Sequence, residues 1–249
     1  RADPSASFIQ GVQARCKELQ RRIVFAEGEE PAVVRAAFSF KNQGLGHPIL
    51  IGREAQVERA MEQMGVAKGS LEIINARVSD NNPLYTDMLY ARLQRDGYLK
   101  RDAQRLVNQD RNVFGCCMLK NGDADGMVTG VTRNYDVALN DSLLVLDPIP
   151  GQAVIGMSMV INRGRTVFIA DTSVTELPQG EDLANIAMES ARAVRSLGFS
   201  PRVAFLSYST FGNPMGERGE KVREAVAILD SMGGIDFEYE GDMSADVAL

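Results

Sequence analysis

Apolar and polar positions along this chain follow two alternating rhythms. Short β-rich runs at 22–26, 48–52, 71–75 and 126–129 are bounded by Gly, Pro, Asn and Asp, and read as strands. Between them, apolar residues recur with helical spacing over 31–43, 54–64, 84–94, 101–108 and 112–120. Strand, helix, strand in repetition is the pattern of βαβ units, which predicts a parallel sheet. An amphipathic helix over 8–21 precedes the first strand, and a helix over 135–145 follows the fourth.

The rhythm then changes. Asp147-Pro148-Ile149-Pro150-Gly151 is a cluster of structure breakers. Two β-rich runs, 153–161 and 165–170, are joined by Asn162-Arg163-Gly164 and predict an antiparallel hairpin, with Gly164 supplying a positive φ. A helix over 181–197, a strand over 202–206, a helix over 216–232 and a strand over 236–240 complete the pattern. The stretch from Gly241 to Leu249 reads as a helix that starts at a polar cap and stops in mid-turn. Arg1-Ala2-Asp3-Pro4 opens without an initiator methionine, so both ends suggest a piece of a longer chain. The expected fold class is α/β with mostly parallel sheets in two lobes, 1–147 and 148–249. The second lobe carries the hairpin, and a cleft is expected between the two. No repeat or low-complexity tract interrupts this pattern.

Composition narrows the chemistry. At 249 residues, 45% hydrophobic and 24% charged, the chain can build a core without disulfide or metal staples. It has no apolar run of the length a membrane span needs, and a net charge of −6 lacks the basic footprint of nucleic-acid binding. Its three cysteines, Cys16, Cys116 and Cys117, form no framework of spaced pairs, which suits a reducing cytoplasm. With His47 as the sole histidine and no CxxC, neither a zinc site nor a Ser-His-Asp triad is expected. Cys116 and Cys117 lie in an apolar run and read as packed core thiols. No GxGxxG or Walker lysine motif is present.

Four loops at the carboxyl ends of expected strands could hold a ligand, as such loops do in open α/β sheets. In Ala26-Glu27-Gly28-Glu29-Glu30-Pro31, three carboxylates could poise a base or simply favour the start of the next helix. Thr129, Thr132, Arg133 and Asn134 put hydroxyls, a cation and an amide before a helix. They could cradle an anion, or cap that helix. Asp171 follows an apolar strand directly and could hold a ligand hydroxyl or a neighbouring loop. Ser207, Ser209, Thr210 and Gly212 form a hydroxyl- and N–H-rich loop suited to a phosphate, a thioester carbonyl or a pantetheine amide.

Read in order, these loops resemble the phosphate acetyltransferase family. The resemblance runs through Gly122-Asp123-Ala124-Asp125-Gly126-Met127-Val128-Thr129-Gly130, Phe168-Ile169-Ala170-Asp171-Thr172 and Asp182-Leu183-Ala184-Asn185-Ile186-Ala187. It continues in the strand and loop from Arg202 to Thr210 and closes with the stretch from Glu240 to Ala248. Thr129-Gly130-Val131-Thr132-Arg133-Asn134-Tyr135 and Phe211-Gly212-Asn213-Pro214 are most similar to the transferase-like carboxyl-terminal domain of large bacterial NADP-dependent malic enzymes. The resemblance implies a two-lobe fold like that of isocitrate and isopropylmalate dehydrogenases. It also implies a regulatory, oligomerising domain that binds acetyl-CoA or a related CoA thioester. Thr129, Thr132, Arg133 and Asn134 would line one side of the cleft, and Asp171, Ser207, Ser209, Thr210 and Gly212 the other. A homodimer of this domain is expected. NADP and a divalent metal would belong to an amino-terminal malic-enzyme partner domain, with no cofactor here.

The departures bear on activity. Family transferases carry an arginine where this chain has Leu93, next to Arg92. They carry another in the helix after the Thr129-Gly130 loop, where Asp136-Val137-Ala138-Leu139-Asn140 offers no cation. Their loop lysine is Phe211 here, and a final Ser-Arg segment with its carboxylate would follow residue 249. Acetyl transfer needs cations to bind phosphate and steady a developing oxyanion, and losing one such group costs ~10²–10³ in rate. The expectation is therefore a binding domain with eroded catalysis. The alternatives are an active transferase in which Arg133 replaces a lost cation, and a purely structural assembly domain.

Overall fold

The computed structural model describes the backbone of residues 4–162 and 164–249, and side chains from Phe8 onward within those ranges. Arg1-Ala2-Asp3 and Arg163 of the hairpin turn lie outside the described residues. The chain divides into two compact units, Arg1–Asp147 and Pro148–Leu249.

In the first unit, α1 (Pro4–Leu19) leads into β1 (Arg22–Phe25), α2 (Pro31–Asn42), β2 (His47–Ile51), α3 (Glu54–Gln63) and β3 (Glu72–Ile74). Next come α4 (Asn82–Leu93), a 3₁₀ turn at Gln94–Asp96, α5 (Lys100–Gln109), α6 (Arg111–Asn121), β4 (Gly126–Val128) and α7 (Tyr135–Val145). The four strands form one parallel sheet in the order β3-β2-β1-β4. Alternation along the strands assigns their side chains to two cores. Val24, Ile49 and Ile51 pack with Tyr85, Leu89 and Phe114 of α4 and α6, whereas Phe25 and Leu50 pack with Val34, Val57 and Met61 of α2 and α3. A strand buried on both faces needs an unbroken apolar run, which is what residues 48–51 supply.

Local signals set the helix ends. Pro31 opens α2, where its missing N–H has no helical partner to lose, and Gly122 ends α6 in the left-handed region at φ 84°. Cys116 and Cys117 are fully buried in α6. Burial pushes their thiols up to about 11 and about 12, so they stay protonated at neutral pH.

The second unit holds β5 (Met157–Asn162), β6 (Arg165–Ala170), α8 (Gly180–Ser196), β7 (Arg202–Leu206), α9 (Glu217–Met232), β8 (Glu238–Met243) and α10 (Ala245–Ala248). β5 and β6 form the antiparallel hairpin, with Asn162 facing Arg165 and Gly164 at φ 77°. β7 and β8 pair in parallel, and α8 and α9 pack over them through Ala184, Ala187, Phe205, Val222 and Leu229.

Three element boundaries differ from the sequence reading by three residues or more. β5 begins at Met157 and not at residue 153, because the Gly156 N–H donates to the Asp171 side chain in place of a strand partner. α1 starts four residues earlier than expected, at Pro4. Gly241, Asp242 and Met243 belong to β8 and not to a terminal helix. A register shift against β7 carries the strand onward, the Met243 carbonyl accepts the Ser207 N–H, and only then does Ser244 start α10.

Candidate functional site

In the order β3-β2-β1-β4, connections leave β1 in opposite directions, so the crevice beyond the carboxyl ends of β1 and β4 is where such a sheet ordinarily binds a ligand. The loop after β1 brings Glu27 there, and the loop after β4 brings residues 129–134. They meet each other. Glu27 is only 2% exposed, and its carboxylate accepts the N–H groups of Gly130, Val131 and Thr132 at 2.6–2.9 Å, together with the Thr132 hydroxyl. Burial alone would raise the Glu27 pKa. The Thr132 hydroxyl and the three N–H groups outweigh it and hold the carboxyl below its ordinary value. The donors that the sequence offered to a bound anion are thus filled by an anion of the chain's own.

Arg133 is similarly engaged. Its guanidinium donates to Asp110 at 2.5 Å and to Asp141 at 2.6 Å. Burial opposes its charge, but the two carboxylates more than compensate and raise its pKa. Asn112 ties the network together, accepting from the Thr129 hydroxyl at 2.7 Å and donating to Asp141 at 3.0 Å. Asp110 also caps α6 through the N–H groups of Asn112 and Val113. Asn134 occupies the N-cap position of α7 without a side-chain capping bond. The structure therefore brings Thr129, Thr132 and Arg133 together with their polar groups facing inward. Outward the loop presents apolar side chains beside the exposed Asn134, with Val128, Val131 and Tyr135 each about half exposed or more.

The second unit repeats this arrangement. Asp242 is fully buried beneath the loop after β7. It accepts the Ser209 hydroxyl, the Gly212 N–H at 2.9 Å and the Arg223 guanidinium at 3.1 Å, while its carbonyl accepts the Phe211 N–H at 2.8 Å. Burial would raise its pKa, and the Ser209 hydroxyl, the Gly212 N–H and the Arg223 charge together lower it. The Ser207 and Ser209 hydroxyls lie 2.9 Å apart, and the Thr210 hydroxyl reaches Ser244 at 3.3 Å. The register shift in β8 aims Asp242 into the loop, as bulges commonly re-aim a side chain. The absence of a Cβ at Gly219 of α9 makes room, since one there would lie 2.8 Å from the Asp242 carboxylate. Tyr208 and Phe211 stand exposed above this base.

Asp171 serves its own loop. It accepts the N–H groups of Gly156, Val174 and Thr175, at 2.7, 3.3 and 2.7 Å. These bonds overcome burial and lower its pKa. Glu27 was visible in the sequence only as one of three acids in a turn, and Asp242 only inside a longer motif. Asp110, Asp141 and Arg223 carried no local signal, because their partners lie 8–23 residues away. Leu93 is buried, and its neighbour Arg92 grips the carboxyl end of α7 through the carbonyls of Leu143 and Leu144 and the Asp147 carboxylate. Among the described residues no group of His, Cys, Asp and Glu is placed to hold a metal, and no helix is long and apolar enough to cross a membrane.

Residues 7–249 match the phosphate acetyl/butaryl transferase family. The chain belongs to that family. A phosphotransacetylase from Streptococcus pyogenes has a similar structure, with a TM-score of 0.86 and 29% identity over 98% of this chain and 74% of that one. A phosphate acetyltransferase from Thermoanaerobacterium thermosaccharolyticum is 30% identical over 98% of this chain and 75% of its own length. An NADP-dependent malic enzyme from Rhizobium meliloti is 53% identical over all of this chain and 33% of its own length. This member of the transferase family thus spans about one-third of that malic enzyme.

Proposed function

We propose that this chain is the transferase-like part of a larger NADP-dependent malic enzyme of the cytoplasm. In this reading it serves as a regulatory, oligomerising domain that binds acetyl-CoA and does not transfer its acetyl group. The fold is that of isocitrate and isopropylmalate dehydrogenases, and NADP and a divalent metal act in the remainder of the enzyme. One observation carries the reading. The loops that a transferase would turn toward phosphate are closed here by Glu27 and Asp242, and Arg133 is held between two aspartates. An anion arriving at either loop meets a carboxylate already bonded to the donors it needs.

The outward surfaces suit the other half of the chemistry. Val131, Tyr135, Tyr208 and Phe211 are exposed over loops in which Thr129, Thr132, Arg133 and Ser209 already have partners, which favours the pantetheine arm and adenine ring of a CoA thioester over a bare anion. Thr129, Thr132, Arg133, Asn134, Asp171, Ser207, Ser209, Thr210 and Gly212 then shape the binding loops from beneath. Oligomerisation is supported by the β5–β6 hairpin, where Val160 and Ile169 share one face and are each nearly half exposed. A two-stranded hairpin with apolar side chains in water calls for a cover, and a second copy of the chain supplies it.

Calorimetric titration with acetyl-CoA tests the binding half. Saturable heat in the wild type, weakened severalfold by Phe211→Ala without loss of thermal stability, is the expected result. An absence of binding would leave only an assembly role. The second reading, an active transferase, draws on the 30% identity to a phosphate acetyltransferase across 75% of that enzyme. Turnover with acetyl phosphate and CoA at the rate of a free-standing transferase would establish it.

A further inference from the structure

A cavity of about 230 Å³ lies in the first unit at the carboxyl edge of β1, β2 and β3, and its lining shares no residue with the Glu27 and Arg133 network, although Arg111 sits between Asp110 and Asn112 of that network. Three arginines line it, Arg53, Arg77 and Arg111, with Glu29 and Asn108. Arg53 and Glu29 neutralise one another through a two-pronged ion pair, with Nε and Nη2 each 2.9 Å from the carboxylate. That pair, reinforced by the Arg53 N–H, holds the Glu29 carboxyl down to about 2, so it stays charged and matched. Gly52 permits the arrangement, since a Cβ there would lie 2.9 Å from the Glu29 side chain.

The other two cations have no such match. Neither Arg77 nor Arg111 makes an ion pair within 4 Å among the described residues, and although Arg111 also acts through space on Glu29, the cavity wall sets three arginines against that one carboxylate. Asn108, also in the wall, has its side-chain oxygen buried without a hydrogen-bond partner. A buried acceptor left unsatisfied is costly unless something supplies a donor. Two planar guanidinium forks with one orphaned acceptor describe a definite ligand. It is an oxyanion of about two negative charges that also offers a hydroxyl.

We propose that this cavity is an oxyanion site that takes a phosphoryl group bearing, or lying beside, a hydroxyl. Arg77 and Arg111 bind the phosphoryl oxygens, Asn108 accepts from the hydroxyl, and the Glu29–Arg53 pair forms a rigid, neutral wall. The phosphoryl group is either inorganic phosphate or the phosphomonoester of a nucleotide, whose ribose provides the hydroxyl. The site uses none of the residues assigned above to acetyl-CoA binding, so it stands or falls separately from that reading.

Titration of the full chain with inorganic phosphate and with adenosine 3′,5′-diphosphate, at low ionic strength, tests the proposal. Saturable one-to-one binding is expected, falling at least about tenfold in R77Q/R111Q, which changes two side chains that make no ion pair within 4 Å and leaves thermal unfolding unaltered. Sulfate, which has no hydroxyl at neutral pH, binds more weakly than phosphate in the wild type, and Asn108→Ala removes that preference. Tighter binding of the nucleotide than of phosphate, lost in R77Q/R111Q, identifies a nucleotide-borne group, and equal or weaker binding identifies the free ion. No saturable binding of either ligand, or equal affinity in R77Q/R111Q and wild type, overturns the site. Acetyl-CoA titration of the same variants reports separately on the binding loops.

Discussion

Glu27 and Asp242 do at residue scale what a bound anion does elsewhere. Each is a buried carboxylate whose charge is stabilised by backbone N–H and hydroxyl donors from a loop distant in sequence, so each fixes a loop whose own apolar side chains are largely exposed. Replacing either by its amide keeps the volume but turns an acceptor into a donor facing donors. Glu27→Gln and Asp242→Asn are expected to destabilise their units by about 3 kcal/mol each, measured by urea denaturation, because a broken buried charge network leaves its partners unsatisfied. The pH dependence has a definite sign. Glu27, Glu29, Asp171 and Asp242 all have folded-state pKa values below their ordinary ones. Their contribution is complete above the ordinary carboxylate range and is lost as pH falls through the folded values. Thermal unfolding should therefore be level from about pH 8 to 5 and drop steadily below about pH 4, and Asp242→Asn should flatten the drop.

At element scale, the glycines in helices separate two roles that sequence does not. Gly219 in α9 faces Asp242 and Ser209, so Gly219→Ala forces a Cβ to within 3.0 Å of both and should destabilise by about 1–3 kcal/mol despite alanine's better helix propensity. Gly11 in α1 has no neighbour within 4 Å of a Cβ, so Gly11→Ala should stabilise by up to about 1 kcal/mol. Denaturation of the two variants side by side gives opposite signs. The elements themselves were legible where a pattern is local. α7, β6 and β7 fall where apolar period and breakers place them, since burial on a sheet or helix face demands that spacing. β8 runs past the expected end at Glu240, because Gly241-Asp242 resembles a helix start in sequence alone. Only pairing with β7 and the demand of the Ser207–Gly212 loop for a carboxylate keep it extended.

For the whole molecule, the hairpin and the binding loops make separate predictions. If the chain associates through the hairpin as proposed, Val160→Asp, which places a charge on the exposed apolar face of β5, should leave only monomers in sedimentation velocity, without loss of fold. The position of the candidate loops at strand ends was readable, because they follow β4, β6 and β7 directly in the chain. Which polar groups remain available to a ligand was not readable. Thr132, Arg133 and Ser209 look like ligand contacts in sequence, and their partners Glu27, Asp110 and Asp242 become neighbours only through long-range folding. The central claim is that the chain retains acetyl-CoA binding without acetyl transfer. Its most direct test is a calorimetric titration of the full chain with acetyl-CoA in phosphate, with released CoA thiol followed in the same sample. Saturable binding with no thiol above the uncatalysed background is the predicted result. Thiol release at the turnover of a free-standing phosphate acetyltransferase, or the absence of saturable binding, would contradict it.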